Sequence, residues 1–298
     1  VKVVLGGQGG DEIFGGYARY LVAYFEQCIK AAVEGTYQNG NYIVTIESII
    51  PNLGALREYR PMIQQFWKEG LFGNLDERYF RLIDRSGDIS DEVEWGALDR
   101  AGVYKRFEAI FNNGANVRKE AYFDKMTHFD FKCLLPALLQ VEDRMSMAHG
   151  LESRVPLLDH PLVEFAASIP ADLKFEGGTM KQLIKTVFAD VLPKALVERR
   201  DKMGFPVPLR EWYSGELKDF IGDIFTSQSA RTRPFLRSDN VLQNFTKEAP
   251  FSRKTWGLLN LELWHQMFHD RAAEWRTKAE QQPAPTDEYE PRSDPARL

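Results

Sequence analysis

Cysteine is nearly absent from this chain. Only Cys28 and Cys133 occur among 298 residues, far apart and outside any CxxC or histidine-spaced pattern. That excludes a disulfide framework and a structural zinc site, and it fits a reducing compartment. Long apolar runs are missing as well. None approaches the roughly 18 to 20 residues that a membrane span requires, and the first residues carry neither the charged leader nor the cleavage site of a signal peptide. Basic charge is in deficit, with 38 Lys and Arg against 43 Asp and Glu, so the chain lacks the dense cationic face that grips a nucleic-acid backbone. There is no internal repeat and no block of one charge. Together these gaps predict a cytoplasmic protein with small-molecule partners, acting on neither nucleic acid nor membrane.

What is present suits a buried core: 44% of residues are hydrophobic and 12% aromatic. The opening run VKVVL, residues 1–5, is β-branched and stops at Gly6 and Gly7, which predicts a buried parallel strand whose partners lie later in the chain or outside it. Apolar residues at helical spacing predict helices over 17–33, 56–67, 77–83, 95–111, 122–134, 139–148, 181–188 and 251–271. The visible chain therefore reads as mainly α, one domain over 1–271. Residues 272–298, increasingly rich in proline and poor in apolar side chains, read as a disordered tail.

Three stretches carry chemistry. The turn GGQGGDE, residues 6–12, sits where a strand gives way to a helix, the end at which open α/β sheets bind ligands. Its glycines permit close backbone approach. Asp11 and Glu12 would repel a bare phosphate and instead suit Mg²⁺ bridging to phosphate oxygens, although Asp11 could equally cap the next helix. Gly15 and Gly16 cost a helix start about 1 kcal/mol each, which calls for a close neighbour. In LQVEDRMSMAHGLESRVPLLD, residues 139–159, Glu142, Asp143, Arg144, Glu152, Arg154 and Asp159 cluster around a helix end near Gly150 and an extended stretch before Pro156. The arginines suit the carboxylate of an amino acid, and the same charges could form a structural ion-pair network. His149, with no partner fixed by the sequence, reads as a surface or packing residue. Lys181 falls in the first turn of a short helix after Gly177 and Gly178, against the helix dipole unless an anion lies nearby; a solvated surface lysine is the other reading.

Taken together, GQGGDEIFGGY, DRMSMAHGLESRVPLLDHPLVEF, and GGTMKQLIK followed by RRDKMGFPVPLREW resemble the C-terminal synthetase domain of glutamine-hydrolysing asparagine synthetases, in order from residue 1 to about 213 and more loosely to about 271. The resemblance implies an α/β ATP-pyrophosphatase fold, truncated in this chain. It implies that the aspartate side-chain carboxylate is activated by ATP as an acyl-adenylate, from which ammonia displaces AMP. It assigns Mg²⁺ to Asp11, the phosphates to Lys181, the nucleotide side of the cleft to Gly7, Gly9, Gly10 and Glu12, and the substrate pocket to Asp143, Arg144, Glu152 and Arg154. Residues 202–208 resemble a mobile segment bordering the active site. Gln8 takes a catalytic position concerned with ammonia attack, where some members carry glutamate, and it cannot serve as a carboxylate base.

The family's first pyrophosphate loop, Ser-Gly-Gly-x-Asp-Ser, occurs nowhere in these residues, and neither does a glutaminase domain with a terminal cysteine nucleophile. The expectation is a C-terminal fragment whose sheet and glutaminase lie upstream, inactive alone, from a protein that could be a homodimer. A relative activating another carboxylate, in β-lactam formation or peptide cyclisation, is the neighbouring alternative. A catalytically inactive binding module is the distant one.

Overall fold

Strand and helix signals resolve into two separate units in the computed structural model, which describes residues 1–34, 57, 59–117, 121–199, 207–249 and 252–281. One unit comprises Val1–Asp84 and Asp99–Lys202, the other Arg85–Leu98 and Met203–Leu298, where the sequence suggests a single domain. The first runs through β1 (Val3–Leu5), α1 (Gly10–Ile13), α2 (Ala18–Glu34), α3 (Arg60–Phe66), α4 (Leu75–Ile83), α5 (Arg100–Phe111), α6 (Tyr122–Phe129), α7 (Leu135–Met147), β2 (Glu152–Arg154), α8 (His160–Ser168), α9 (Ala171–Lys174), α10 (Gln182–Val187) and α11 (Lys194–Val197). β1 and β2 pair in parallel, with Val3 opposite Glu152, Val4 opposite Ser153 and Leu5 opposite Arg154. The predicted strand thus finds a parallel partner in the extended stretch before Pro156, but it is not buried as expected: with the polar β2 as its partner among the described residues, Val3, Val4 and Leu5 are 37%, 36% and 73% exposed. No helix among the described residues is long and apolar enough to cross a membrane.

The core of this unit is aromatic. On α2, Tyr20, Leu21, Tyr24 and Cys28 recur at helical spacing and are buried. Tyr79 stacks on Phe111, Phe111 on Phe107, and Tyr24 on Phe175. Each such ring contributes about 1.5–3 kcal/mol by burial. Among its polar groups, Asp130 accepts from Arg19 Nη2 at 2.5 Å, from Tyr79 at 3.2 Å and from the Tyr20 hydroxyl. Asp130 also opens a π-helical turn, Asp130–Leu134, that carries α6 into α7 without the break expected over 135–138. There the Leu135 N–H reaches back five residues to the Asp130 carbonyl. Pro136 enters at this widened turn and does not end the helix.

Lys174 is a buried cation of the same unit. It is only 4% exposed, with its ammonium 5.0 Å from the centre of the Phe123 ring, and burial lowers its pKa from 10.5 to about 8, partly opposed by the charge of Asp124. Between these two values the folded state has released a proton that the unfolded chain still binds, so stability rises with pH across that window. The expected gain, on the order of 3 kcal/mol at most, should be present in urea titrations from pH 8 to 10.5 and absent from Lys174→Met.

The second unit contains α12 (Leu209–Ser214), α13 (Lys218–Thr226), α14 (Gln228–Arg231), α15 (Ser238–Asn244), α16 (Lys254–Trp264) and α17 (Ala272–Gln281) around Tyr213, Ile221, Phe225 and Leu258. Residues 85–98 join it. Val93 bridges Leu236 in antiparallel fashion, while Glu92 accepts from Lys254 at 2.7 Å and from Asn244 at 2.7 Å. The helix expected over 95–111 is therefore divided. A short 3₁₀ turn, Trp95–Ala97, belongs to the second unit, and α5 starts afresh where Asp99 accepts from the Gly102 N–H at 2.8 Å. The C-terminal helix also differs from expectation. A π-helical stretch, His265–Asp270, leads to α17, ten residues that the sequence assigned to the tail. Glu274 explains why so polar a segment is helical, since it pairs with Arg271 at 2.7 Å and Lys278 at 2.6 Å one turn away on either side. The rest of the expected tail, 282–298, and residues 202–206 of the expected mobile segment lie outside the described residues.

Candidate functional site

The site is built from the end of β1 outward. The Gly6 N–H donates to the Arg154 carbonyl at 2.7 Å, extending the strand pairing by one residue. At Gly7 a side chain would meet nothing within 4 Å, so the turn opens onto free space at the carboxyl end of the strand. Gly9, in the left-handed region at φ 87°, is the N-cap of α1, and Gly10 is its first residue. Asp11 is therefore not the cap. Its carboxylate pairs instead with Lys181 Nζ at 3.0 Å, both side chains being partly exposed. A methyl group at Gly16 would collide with Asp11 Oδ1 and Lys181 Cε, which supplies the close neighbour that a glycine there demands. Lys181 itself is the N-cap of α10, at φ 57°. For a residue with a Cβ, that left-handed conformation costs about 1–2 kcal/mol, and the surrounding turn holds it while the amine spans to Asp11.

Glu12 is turned to other work. It is 2% exposed and accepts from the Tyr17 hydroxyl at 2.7 Å. Burial, together with this carboxylate, pushes the Tyr17 phenol well above its usual range. Glu12 also lines a cavity of about 680 Å³ with Asp124, His128 and Lys174. Its carboxylate is thus engaged inside the unit by Tyr17.

The second motif arrives at the same place by a residue that sequence reasoning quoted but did not select. A methyl at Gly6 would collide with Gln8 Oε1 and come within 2.8 Å of Glu142 Oε1, so Gln8 and Glu142 converge over Gly6. Ser153 Oγ donates to Glu142 Oε1 at 2.5 Å. Gln8 Oε1 and Glu142 Oε2 are buried with no hydrogen-bond partner among the described residues. The four residues chosen for a substrate pocket are disposed differently. Asp143 and Arg144 are neighbours on the exposed face of α7, 3.8 Å apart, and Glu152 and Arg154 pair at 2.7 Å on β2, likewise exposed. They form two surface pairs, and the described residues do not enclose them in one cavity. The helical phase was the available signal: position 142 lies on a different face of α7 from Asp143, the face toward β2.

No group of three or more His, Cys, Asp or Glu among the described residues is placed to hold a metal. Asp11 offers one accessible carboxylate, and Glu12 is committed to Tyr17. This donor set fits a Mg²⁺ ion held jointly with phosphate oxygens, the usual way in which Mg²⁺ is bound, and does not fit a cage made by protein alone.

The asparagine synthase family profile matches residues 1–266. The chain belongs to the asparagine synthase family. Among relatives, it is 27% identical over 275 residues to glutamine-hydrolyzing asparagine synthetase 1 of Bacillus subtilis (strain 168), covering 90% of this chain and 40% of that relative. With glutamine-hydrolyzing asparagine synthetase 3 of the same organism it shares 23% identity over 258 residues, 85% of this chain and 34% of the relative. The Gallus gallus glutamine-hydrolyzing asparagine synthetase is 35% identical over 129 residues, which is 38% of this chain and 23% of the relative. The chain thus spans about two fifths of the length of the B. subtilis asparagine synthetase 1. No solved structure matches it. The asparagine synthase match embraces both constellations described above, the Asp11–Lys181 pair and the Gln8 and Glu142 side chains around Gly6.

Proposed function

We propose that this chain is the C-terminal part of a longer ligase that activates the side-chain carboxylate of aspartate with ATP and transfers it to ammonia derived from glutamine, giving asparagine, AMP and pyrophosphate. The observation that carries this reading is the Asp11–Lys181 pair at the carboxyl end of β1, inside a chain of the asparagine synthase family. A carboxylate is a poor electrophile because its charge repels nucleophiles. Joined to AMP as a mixed anhydride, it loses that charge and gains a good leaving group.

Each residue then has a role. The open backbone at Gly7 admits the phosphates closely. Lys181 stabilises charge that develops on pyrophosphate as it departs, an effect large in a site where donors are held in place beforehand. Asp11 orients the Lys181 amine and would hold Mg²⁺ with the phosphates. Bound there, Mg²⁺ would supply Lewis-acid neutralisation of the same oxygens. Asp143, Arg144, Glu152 and Arg154 stand ready to exchange their mutual pairing for the charged groups of an amino acid. Upstream polypeptide would add the remaining strands of an ATP-pyrophosphatase sheet, its first phosphate loop and the glutaminase.

The longer protein should exchange labelled pyrophosphate into ATP when aspartate is supplied, and not with glutamate or with a β-amino acid precursor of a β-lactam. Exchange supported by another acid and not by aspartate would replace the substrate assignment. Asp11→Asn should raise the Mg²⁺ concentration needed for half-maximal exchange several-fold. An unchanged Mg²⁺ titration would confine Asp11 to orienting Lys181.

A further inference from the structure

Gln8 leaves the proposed reaction one group short. Ammonia attacking the aspartyl-adenylate becomes a positively charged substituent that must lose a proton before the amide is stable, and a neutral amide such as Gln8 cannot take it. Four of the acidic side chains in the two motifs are otherwise disposed, and Asp159 is exposed. Asp11 faces Lys181, Glu12 accepts from Tyr17, Asp143 lies exposed beside Arg144, and Glu152 pairs with Arg154.

Glu142 differs from all of them. Its Oε1 is fixed by Ser153 of β2, and its Oε2 is buried without a partner among the described residues. The carboxyl group meets Gln8 over Gly6, one residue beyond the strand end. A buried carboxylate oxygen left unpaired is costly, and at this place an incoming N–H donor would complete it.

Resting on the aspartate-activating reading above, we propose that Glu142 accepts the proton released by attacking ammonia, doing from α7 what a glutamate at position 8 would do from the glycine turn. The C–N bond forms as the ammonia lone pair adds to the acyl carbon. One N–H proton passes to Glu142 Oε2, and the tetrahedral centre collapses with cleavage of the acyl C–O bond, whose electron pair leaves with AMP. Glu142 then returns the proton to solvent. Gln8 borders the same space over Gly6, and Ser153 keeps the carboxyl group oriented.

The test separates the two half-reactions in the longer protein, with ammonium chloride as the nitrogen source. Glu142→Gln should lower asparagine formation by about 10²–10³-fold, the usual contribution of a positioned base, while aspartate-dependent pyrophosphate exchange falls less than about tenfold on the same basis. Adding Gln8→Glu to Glu142→Gln should recover at least about tenfold of the lost asparagine formation, since the carboxylate is returned to the neighbouring position. The proposal is overturned if both half-reactions fall together, if asparagine formation is unaffected, or if the second substitution restores nothing, because a merely structural bond to Ser153 would not be rescued from position 8. Failure of the underlying reading looks different: the unsubstituted protein would show no aspartate-dependent exchange, and both proposals would fall before any variant is made.

Discussion

Lys181→Ala should lower aspartate-dependent pyrophosphate exchange in the longer protein by about 10³-fold, the scale of removing one preorganised electrostatic stabiliser. The backbone makes this test unusually clean. At φ 57° alanine inherits the left-handed conformation that lysine already endures, whereas glycine adopts it without cost. Lys181→Gly should therefore be more stable than Lys181→Ala by about 1 kcal/mol, yet equally depleted in exchange. Circular dichroism and urea midpoints report the first difference, and pyrophosphate exchange reports the second. If exchange followed stability, with Lys181→Gly recovering activity, the amine would be dispensable and the lysine a structural residue. Near-normal exchange in both variants would remove Lys181 from the chemistry altogether.

The largest expected effect on folding comes from a residue far from that chemistry. Glu26→Ala should destabilise the first unit by about 3–5 kcal/mol, the cost of leaving one member of a buried ion pair alone. Arg78 is 1% exposed. Its guanidinium is held by Glu26, by the Gly73 carbonyl at 2.9 Å and by the Asn74 carbonyl at 3.3 Å, and lies 4.7 Å from the centre of the Phe66 ring. Without Glu26 the cation stays buried with carbonyl dipoles alone, and Trp67 Nε1, which donates to the same carboxylate at 2.5 Å, loses its acceptor. Urea unfolding followed by tryptophan fluorescence would show the shifted midpoint. The double variant Glu26→Leu with Arg78→Met should recover most of the loss, since an apolar pair of similar volume removes both desolvated charges. A double variant as unstable as the single one would mean that the carbonyl and tryptophan contacts, not the charge, hold this corner together.

The sequence made the glycine turn legible because each unusual residue has a local cause. Gly16 had no helical justification, and the structure gives it Asp11 and Lys181 as neighbours. Lys181 opposed the helix dipole, and it proves to be the left-handed N-cap of α10 with a carboxylate partner. The partner of β1 was harder to see. Glu152, Ser153 and Arg154 are polar, so no apolar alternation marks β2, and only the restraint imposed by Pro156 on the preceding chain pointed to extended backbone. The division of the expected helix over 95–111 was less accessible still. Helical spacing does not register that Val93 pairs with Leu236, more than a hundred residues away. Glu142 was hidden for a similar reason. Its neighbour Asp143 carries the same charge in the same motif, and only the register between α7 and β2 decides which of them meets Ser153 and Gln8.

The most direct measurement follows oxygen. Aspartate labelled with ¹⁸O in its side-chain carboxylate would be converted by the longer protein in the presence of ATP, Mg²⁺ and ammonia, and the products weighed by mass spectrometry. Attack of that carboxylate on the α-phosphorus, followed by cleavage of the acyl C–O bond, places one ¹⁸O atom in AMP and none in pyrophosphate. Label in orthophosphate with formation of ADP would mean activation at the terminal phosphorus, and unlabelled AMP would mean that the carboxylate is never adenylated; either result would contradict the account.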